Sequence, residues 1–228
     1  GQLESVVIQS LDSRDVTEYP LPAGVAGPVT TWSPDGRTLF GGRSVLSTFG
    51  SAIVAIDAAT GTMQTLVPAE IHGRFHGLSG DGQQVYYDRP TGERPEAGGR
   101  SGAAFVGRDR TSGAEREIVR LLRNEAAGAV PTGGKLFYRK LPTDSGSGEE
   151  GVMERDIASG AERVLVRALW VSEFMVALNR EWLAVALSDA AAGTRTIRVV
   201  PLTGGEPREL LQGPEASRLM LVSLAPDS

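Results

Sequence analysis

Short stretches in which apolar and polar residues alternate fill this chain almost from end to end, each closed by a glycine turn. A two-residue period marks a half-buried strand, and such runs bounded by Gly, Pro, Asp and Ser read as hairpins. Two hairpin signatures take turns. In the first, an apolar run meets Ser33-Pro34-Asp35-Gly36 and continues as Thr38-Leu39-Phe40. Proline presets φ at the second turn position, aspartate bonds its own backbone, and glycine takes the positive φ. In the second, an apolar strand ends on Asp, three residues follow, and then Gly: Ile53-Val54-Ala55-Ile56-Asp57-Ala58-Ala59-Thr60-Gly61. A polar-then-apolar strand follows each such glycine, as in Met63-Gln64-Thr65-Leu66-Val67.

The pair of signatures recurs. Trp32 to Phe40 returns as Leu78 to Tyr86, with Asp35 and Asp81 spaced 46 residues apart. More worn copies stand at Val130–Tyr138 and Leu178–Leu183, and a last one opens at Leu224-Ala225-Pro226-Asp227. The Asp-x-x-x-Gly turn returns at Asp109–Gly113 and Asp156–Gly160. A fourth copy, Val199 to Gly204, keeps Thr-Gly and loses the Asp. Each unit therefore has four strands, a to d. A period of this size predicts an all-β fold, a β-propeller of four-stranded antiparallel blades stacked radially. The repeats span about 29–67, 75–119, 128–166 and 174–211, with partial pieces at 1–21 and 218–228, in a single domain over 1–228. The two end pieces make a fifth blade if they pair. Otherwise the chain is a segment of a larger propeller, the expectation favoured by a sequence that starts inside a strand pattern and stops inside a repeat. Glu115–Ala127 could be written as a helix, but the repeat register predicts strand d there. Irregular insertions between strands b and c are expected at Gly41–Ser51, Asp88–Ala103, Arg139–Gly151 and Ser188–Thr194.

The residues Trp32-Ser33-Pro34-Asp35-Gly36-Arg37, followed by a strand and by Asp57-x-x-Thr60-Gly61, resemble the TolB-like, WD-repeat-like β-propeller repeats of many bacterial proteins. The second repeat matches at Ser79, Asp81-Gly82, Asp109 and Ser112-Gly113; the third and fourth match in spacing and apolar pattern. The resemblance covers essentially the whole chain. It implies that the a–b and c–d turns share one face, that the d–a and b–c loops share the other, and that strand a lines a central channel. It also implies a periplasmic setting. It brings no shared catalytic residues.

Composition narrows the function classes. The 228 residues carry a net charge of -5, which gives no support for nucleic-acid binding, since that wants a basic face. No cysteine is present, so disulfides and thiolate zinc sites are excluded. No apolar stretch approaches the ~20 residues that span a bilayer, so no membrane insertion is expected. There is no Gly-x-Ser-x-Gly elbow, phosphate loop or Asp-x-Asp-x-Asp-Gly calcium loop. Asp35, Asp57, Asp81, Asp109 and Asp156 read as turn formers in different blades rather than as a hydrolytic pair.

The candidate ligand-binding residues are His72, Arg74, His76 and Arg89, at a d–a connection and the neighbouring b–c loop. With Arg43, Arg100 and Arg139 they could clamp a carboxylate or phosphate. Ordinary loop histidines and solvated loop arginines are the plainer reading. Trp32, Trp170 and Trp182 read as blade packing. The expected function is a non-catalytic scaffold that binds a protein, peptide or envelope component through its loop face or channel, with no cofactor and no metal. One alternative is an accessory or gating propeller of a larger peptidase or kinase; a further, less favoured one is a small-ligand or metal site at the channel mouth formed by His72, His76 and Arg74.

Overall fold

A computed structural model describes residues 5–9, 16–20, 25–26, 29–45, 50–68, 74–92, 102–122, 125–126, 129–141, 148–177 and 180–214. The chain divides into two compact units, Gly1–Arg123 and Asn124–Ser228. In the first, β1 (Ser5–Gln9) pairs with β2 (Val16–Pro20). A second sheet holds β3 (Val25–Ala26), β4 (Val29–Trp32), β5 (Thr38–Val45), β6 (Gly50–Asp57) and β7 (Met63–Val67). β3 and β4 both pair with β5, with a bulge between Val29 and Thr31, so together they take the place of the first strand. A third sheet runs β8 (Arg74–Leu78), β9 (Gln84–Pro90), β10 (Gly102–Asp109), β11 (Glu115–Leu122).

The second unit holds two more four-stranded sheets in simple meander order. One is β12 (Val130–Thr132), β13 (Lys135–Lys140), β14 (Glu150–Asp156), β15 (Glu162–Ala168). The other is β16 (Val171–Val176), β17 (Trp182–Asp189), β18 (Thr194–Pro201), β19 (Arg208–Pro214). All pairings are antiparallel. The four predicted repeats are therefore four sheets, and Glu115–Leu122 is strand d. The C-terminal piece at 218–228 lies outside the described residues.

The insertions between strands b and c are shorter than the sequence suggests. Arg43 pairs with Ala52 and Val45 with Gly50. In the last sheet the ladder runs out to Asp189↔Thr194, so Ser188–Thr194 is a tight hairpin and not an insertion. Asp189 Oδ1 accepts from the Ala191 and Ala192 amides, and Gly193 closes the turn at φ 62°. This is the Asp-x-x-x-Gly device again, used at the opposite end of the blade.

The c–d turns show why those residues recur. Asp57 Oδ1 accepts from the Ala59 amide and from both the amide and hydroxyl of Thr60. Asp109 does the same with Thr111 and Ser112, and Asp156 with Ser159. The next residue then ties this turn to the a–b turn: Ala58 N to Arg37 O, Arg110 N to Gln83 O, Ile157 N to Gly134 O. Both turns therefore lie at one end of each blade. In the fourth sheet Pro201 faces Trp182 as Asp57 faces Thr38. Proline has no amide to give and no carboxylate to cap the turn, yet Leu202 N still reaches Glu181 O at 2.7 Å. At the a–b turn Arg180 takes φ 61°, where the first two repeats have Gly36 and Gly82.

β10 and β17 are buried at five successive residues, which is why they read as continuous apolar runs, whereas β15 starts exposed and is buried only toward its end. In the first unit Ile53 and Val67 pack against Val85, Tyr87, Ala104 and Val106 of the next sheet. Phe40 stacks on Phe75 with centroids 6.5 Å apart, and the Arg110 guanidinium caps Phe40 at 4.7 Å. In the second unit Phe137, Val152 and Val166 pack against Val171, Leu183, Val185, Leu187, Val200 and Leu202. Each blade carries a bulge between strands c and d at the same place: Ile53/Val54, Phe105/Val106, Val152/Met153 and Ile197/Arg198. A bulge sharpens the local twist, so its repetition gives every blade a similar twisted surface for its neighbour.

Two consequences can be measured. Gly61 and Gly36 have the same backbone angle, φ 70° and 69°, but a Cβ on Gly61 would lie 2.1 Å from the Tyr19 ring, whereas nothing lies within 4 Å of one on Gly36. Gly36→Ala should cost about 1–2 kcal/mol for the left-handed backbone alone, and Gly61→Ala should cost clearly more; urea unfolding of both variants checks this. The turn carboxylates Asp35, Asp57, Asp81 and Asp109 are held below their ordinary range, Asp35 and Asp81 first by serine hydroxyls and Asp57 by the Thr60 hydroxyl, Asp109 first by the Ser112 amide. Asp156 is lowered to about 2, first by the Ser159 amide. Depressed folded values mean stability that is complete above the unfolded pKa of about 3.9 and lost as pH falls through the folded values. The melting temperature should hold down to about pH 5 and drop between about pH 4 and 2, and Asp156→Asn should flatten that drop.

Candidate functional site

His76 sits at a bulge in β8. Phe75 faces Tyr87 and Gly77 faces Tyr86, leaving His76 as the extra residue, with Gly77 at φ 143°. A bulge re-aims its side chain. Here it turns the imidazole toward Asp88 of β9, with Nε2 3.0 Å from Oδ2. The other carboxylate oxygen accepts from the Arg74 amide at 3.2 Å. The ring rests against Phe105, with centroids 5.3 Å apart, and the His76 side chain is only 5% exposed. Two of the four sequence candidates, Arg74 and His76, thus meet on Asp88, a residue the sequence reading did not single out.

Arg89 goes elsewhere. It is the next residue along β9, so it faces the other side of the sheet, where Nη1 pairs with Glu115 Oε2 at 2.9 Å. Arg108 holds the second oxygen of the same carboxylate at 2.8 Å. His72 lies outside the described residues, as does Arg100. Among the described residues no group of three or more His, Asp or Glu side chains is placed to hold a metal ion. The five repeated aspartates each end in their own turn and do not converge.

Around Glu115 the structure reveals a motif that repeats one blade later. Tyr138 donates its hydroxyl to Glu162 Oε1, and Arg155 Nη1 reaches the same atom at 2.7 Å. Tyr87, Arg108 and Glu115 occupy the equivalent positions, since Gln84↔Asp109 and Lys135↔Asp156 align the two blades. Burial pushes both tyrosines up, helped by the facing glutamates. Burial pushes Glu162 the other way from its partners, but the Tyr138 hydroxyl and the Arg155 guanidinium outweigh it and hold the carboxyl below its usual range. The Tyr138–Glu162–Arg155 triad pins strands b, c and d of its blade together, and in the preceding blade Arg89 and Arg108 hold Glu115.

The b–c end of the last blade is built differently. The connection Leu169–Trp170 folds over it, with Ser188 N donating to Trp170 O at 3.0 Å. Arg139 is no solvated loop arginine: Nη1 donates to Val171 O at 2.8 Å, and buried Glu150 accepts from Val171 N at 2.8 Å. Both leave Trp170 outside; it is 54% exposed, and Trp32 45% exposed, where the sequence reading expected packed tryptophans. Trp182 is partly buried at the start of β17. Beside Leu169 a cavity of about 310 Å³ opens among Arg167, Leu187, Asp189, Thr194, Thr196, Arg198, Glu209 and Gln212. The Asp189–Gly193 spacing was the one signal in the sequence that marked this end as ordered.

No protein-family model matches the sequence, and no curated protein matches it. Solved structures do. TolB from Acinetobacter baumannii matches with a TM-score of 0.56 at 16% identity, over 90% of this chain and 50% of that one. A putative TolB from Agrobacterium tumefaciens gives 0.61 at 14% identity, over 92% of this chain and 74% of that one. The tricorn protease gives 0.63 at 10% identity, over 93% of this chain and 25% of that one. This chain thus spans half the length of the Acinetobacter TolB. At these identities the likeness speaks for the fold, and it agrees with the four antiparallel sheets: the repeats have the β-propeller fold.

The His76–Asp88 pair makes a prediction of its own. Asp88→Ala should leave a nearly buried imidazole without its partner and cost about 1–3 kcal/mol, read by urea unfolding. Asp88→Asn, which keeps a bonding group at that place, should cost less.

Proposed function

We propose that this chain is a non-catalytic β-propeller scaffold that binds a protein or peptide through the face carrying its d–a and b–c loops. The observation that carries the reading is where the ionisable groups go. Turn aspartates cap turns, Arg89, Arg108 and Arg155 bind Glu115 and Glu162, and His76 is packed against Asp88. The blade ends joined by a–b and c–d turns share one backbone hydrogen bond between the turns, whereas the opposite end of the last blade gathers an exposed Leu169-Trp170 connection and a cavity. Variable loops on a rigid frame are where binding commonly resides. The TolB likeness supports an extracytoplasmic setting, and among the described residues no helix is long and apolar enough to cross a membrane.

A second reading has its own support. The tricorn protease match covers a quarter of that enzyme's chain, which suits an accessory propeller in a larger enzyme. Under either reading the chain by itself turns nothing over.

A peptide-display selection against the purified chain should return binders of roughly micromolar affinity, and Leu169→Asp with Trp170→Ala should weaken them about tenfold or more. Binders indifferent to both changes, or turnover of a small molecule by the chain itself, would overturn the proposal.

A further inference from the structure

Besides its altered turns, the last blade departs from the others at two positions within strand c, and a cavity stands at that spot. Cross-strand register aligns the blades: Thr38↔Asp57, Gln84↔Asp109, Lys135↔Asp156 and Trp182↔Pro201 are equivalent pairs. Counting back along strand c, Thr196 and Arg198 occupy the places held by Ala52 and Val54, by Ala104 and Val106, and by Gly151 and Met153. In the first unit Ala104 and Val106 are buried and belong to the apolar seam with Ile53 and Val67. The same seam in the second unit stays apolar on its inner part, where Val166 meets Leu187, Val200 and Leu202. It then turns polar and gapes to about 310 Å³ at Thr196, Arg198 and Gln212, with Arg167 facing from β15.

We propose that this groove is a binding site for a carboxylate carried on a short apolar chain. Arg167 and Arg198 supply the cationic donors; neither guanidinium has a hydrogen-bond or ion-pair partner among the described residues, whereas Arg139, Arg155, Arg163 and Arg195 in the same unit are all engaged. Arginine pairs suit a carboxylate because their donors are planar and forked. Glu209 and Asp189 also line the groove, and Asp189 already spends Oδ1 on its own turn. Two cations against two carboxylates leave the groove nearly neutral, which favours a single carboxylate over a polyphosphate. Leu169 and Leu187 give the apolar arm a seat, one exposed and one buried. The volume lies at the small end of ligand pockets, roughly 300–1,000 Å³, enough for a terminal residue and its neighbour. Because the groove opens among the d–a and b–c loops, the inference builds on the scaffold reading and deepens it: the partner presents a C-terminal carboxylate, or a free small acid uses the same contacts.

Three probes separate these cases: acetyl-glycyl-leucine, its C-terminal amide, and a longer peptide ending in Gly-Leu, each titrated by calorimetry up to millimolar concentration. The acids should bind, and the amide should bind about tenfold more weakly or worse. If the longer peptide binds much more tightly than the acetylated dipeptide, the source is a chain terminus; if the two are equal, it is a small acid. Thr196→Ala together with Arg198→Val puts back the residues of Ala104 and Val106, so this variant should fold with an unchanged or higher melting temperature while binding falls about tenfold or more. Arg167→Ala should weaken binding similarly. Acid and amide binding alike, binding untouched in the double variant, or no binding of any acid would overturn the site. Display-selected binders that depend on Leu169 and Trp170 but ignore Arg198 would leave the scaffold reading standing while removing this one.

Discussion

One backbone hydrogen bond organises each blade. The residue after the c–d turn's first position donates to the residue that precedes strand b: Ala58 to Arg37, Arg110 to Gln83, Ile157 to Gly134, Leu202 to Glu181. That bond clips the two tight turns together at one end of the blade. The aspartate beside it is a support. Its carboxylate satisfies two or three turn donors that strand pairing cannot reach. The fourth blade proves the order of importance: Pro201 loses the carboxylate and the amide, and Leu202 keeps the clip. Arg180 even adopts a left-handed backbone there to let the a–b turn close.

Once the turns are clipped, packing follows from which strands are buried. Strands b and c carry small and branched apolar residues where they are enclosed, as with Ala103 to Val106 and Leu183 to Leu187. Tyr138 enters this interior bonded to Glu162, whereas the Tyr87 hydroxyl and Arg155 Nε are buried without a hydrogen-bond partner. Thr196 and Arg198 stand out in another way. They occupy seam positions, and the result is an opening and not a packed contact. A substitution that breaks the local repeat with no gain in packing is where function is worth seeking.

The same logic weighs the histidine constellation. The bulge at His76 delivers the ring to Asp88, and Arg74 contributes its amide to the same carboxylate. A group so enclosed holds strands a and b together and offers little to a ligand. The sequence drew attention to it because histidine is rare in this chain, and rarity is not accessibility.

By itself the sequence determined the strand count, the two alternating turns and the absence of thiol, phosphate-loop and serine-elbow chemistry, because turn geometry and strand period are local and written in residue type. At Ser188–Thr194 the pattern suggests an irregular insertion, although the Asp189–Gly193 spacing repeats the c–d turn and the structure makes it a tight hairpin. Only the tertiary structure decided which side chains share a space. That Arg89 leaves His76 for Glu115 follows from the alternation of faces along β9 and from a bulge in β8 that shifts its register by one. That Trp170 faces solvent follows from Ser188 holding its carbonyl at the loop end. That Arg167 and Arg198 line one groove depends on two blades meeting across residues some thirty positions apart, a proximity no local pattern encodes.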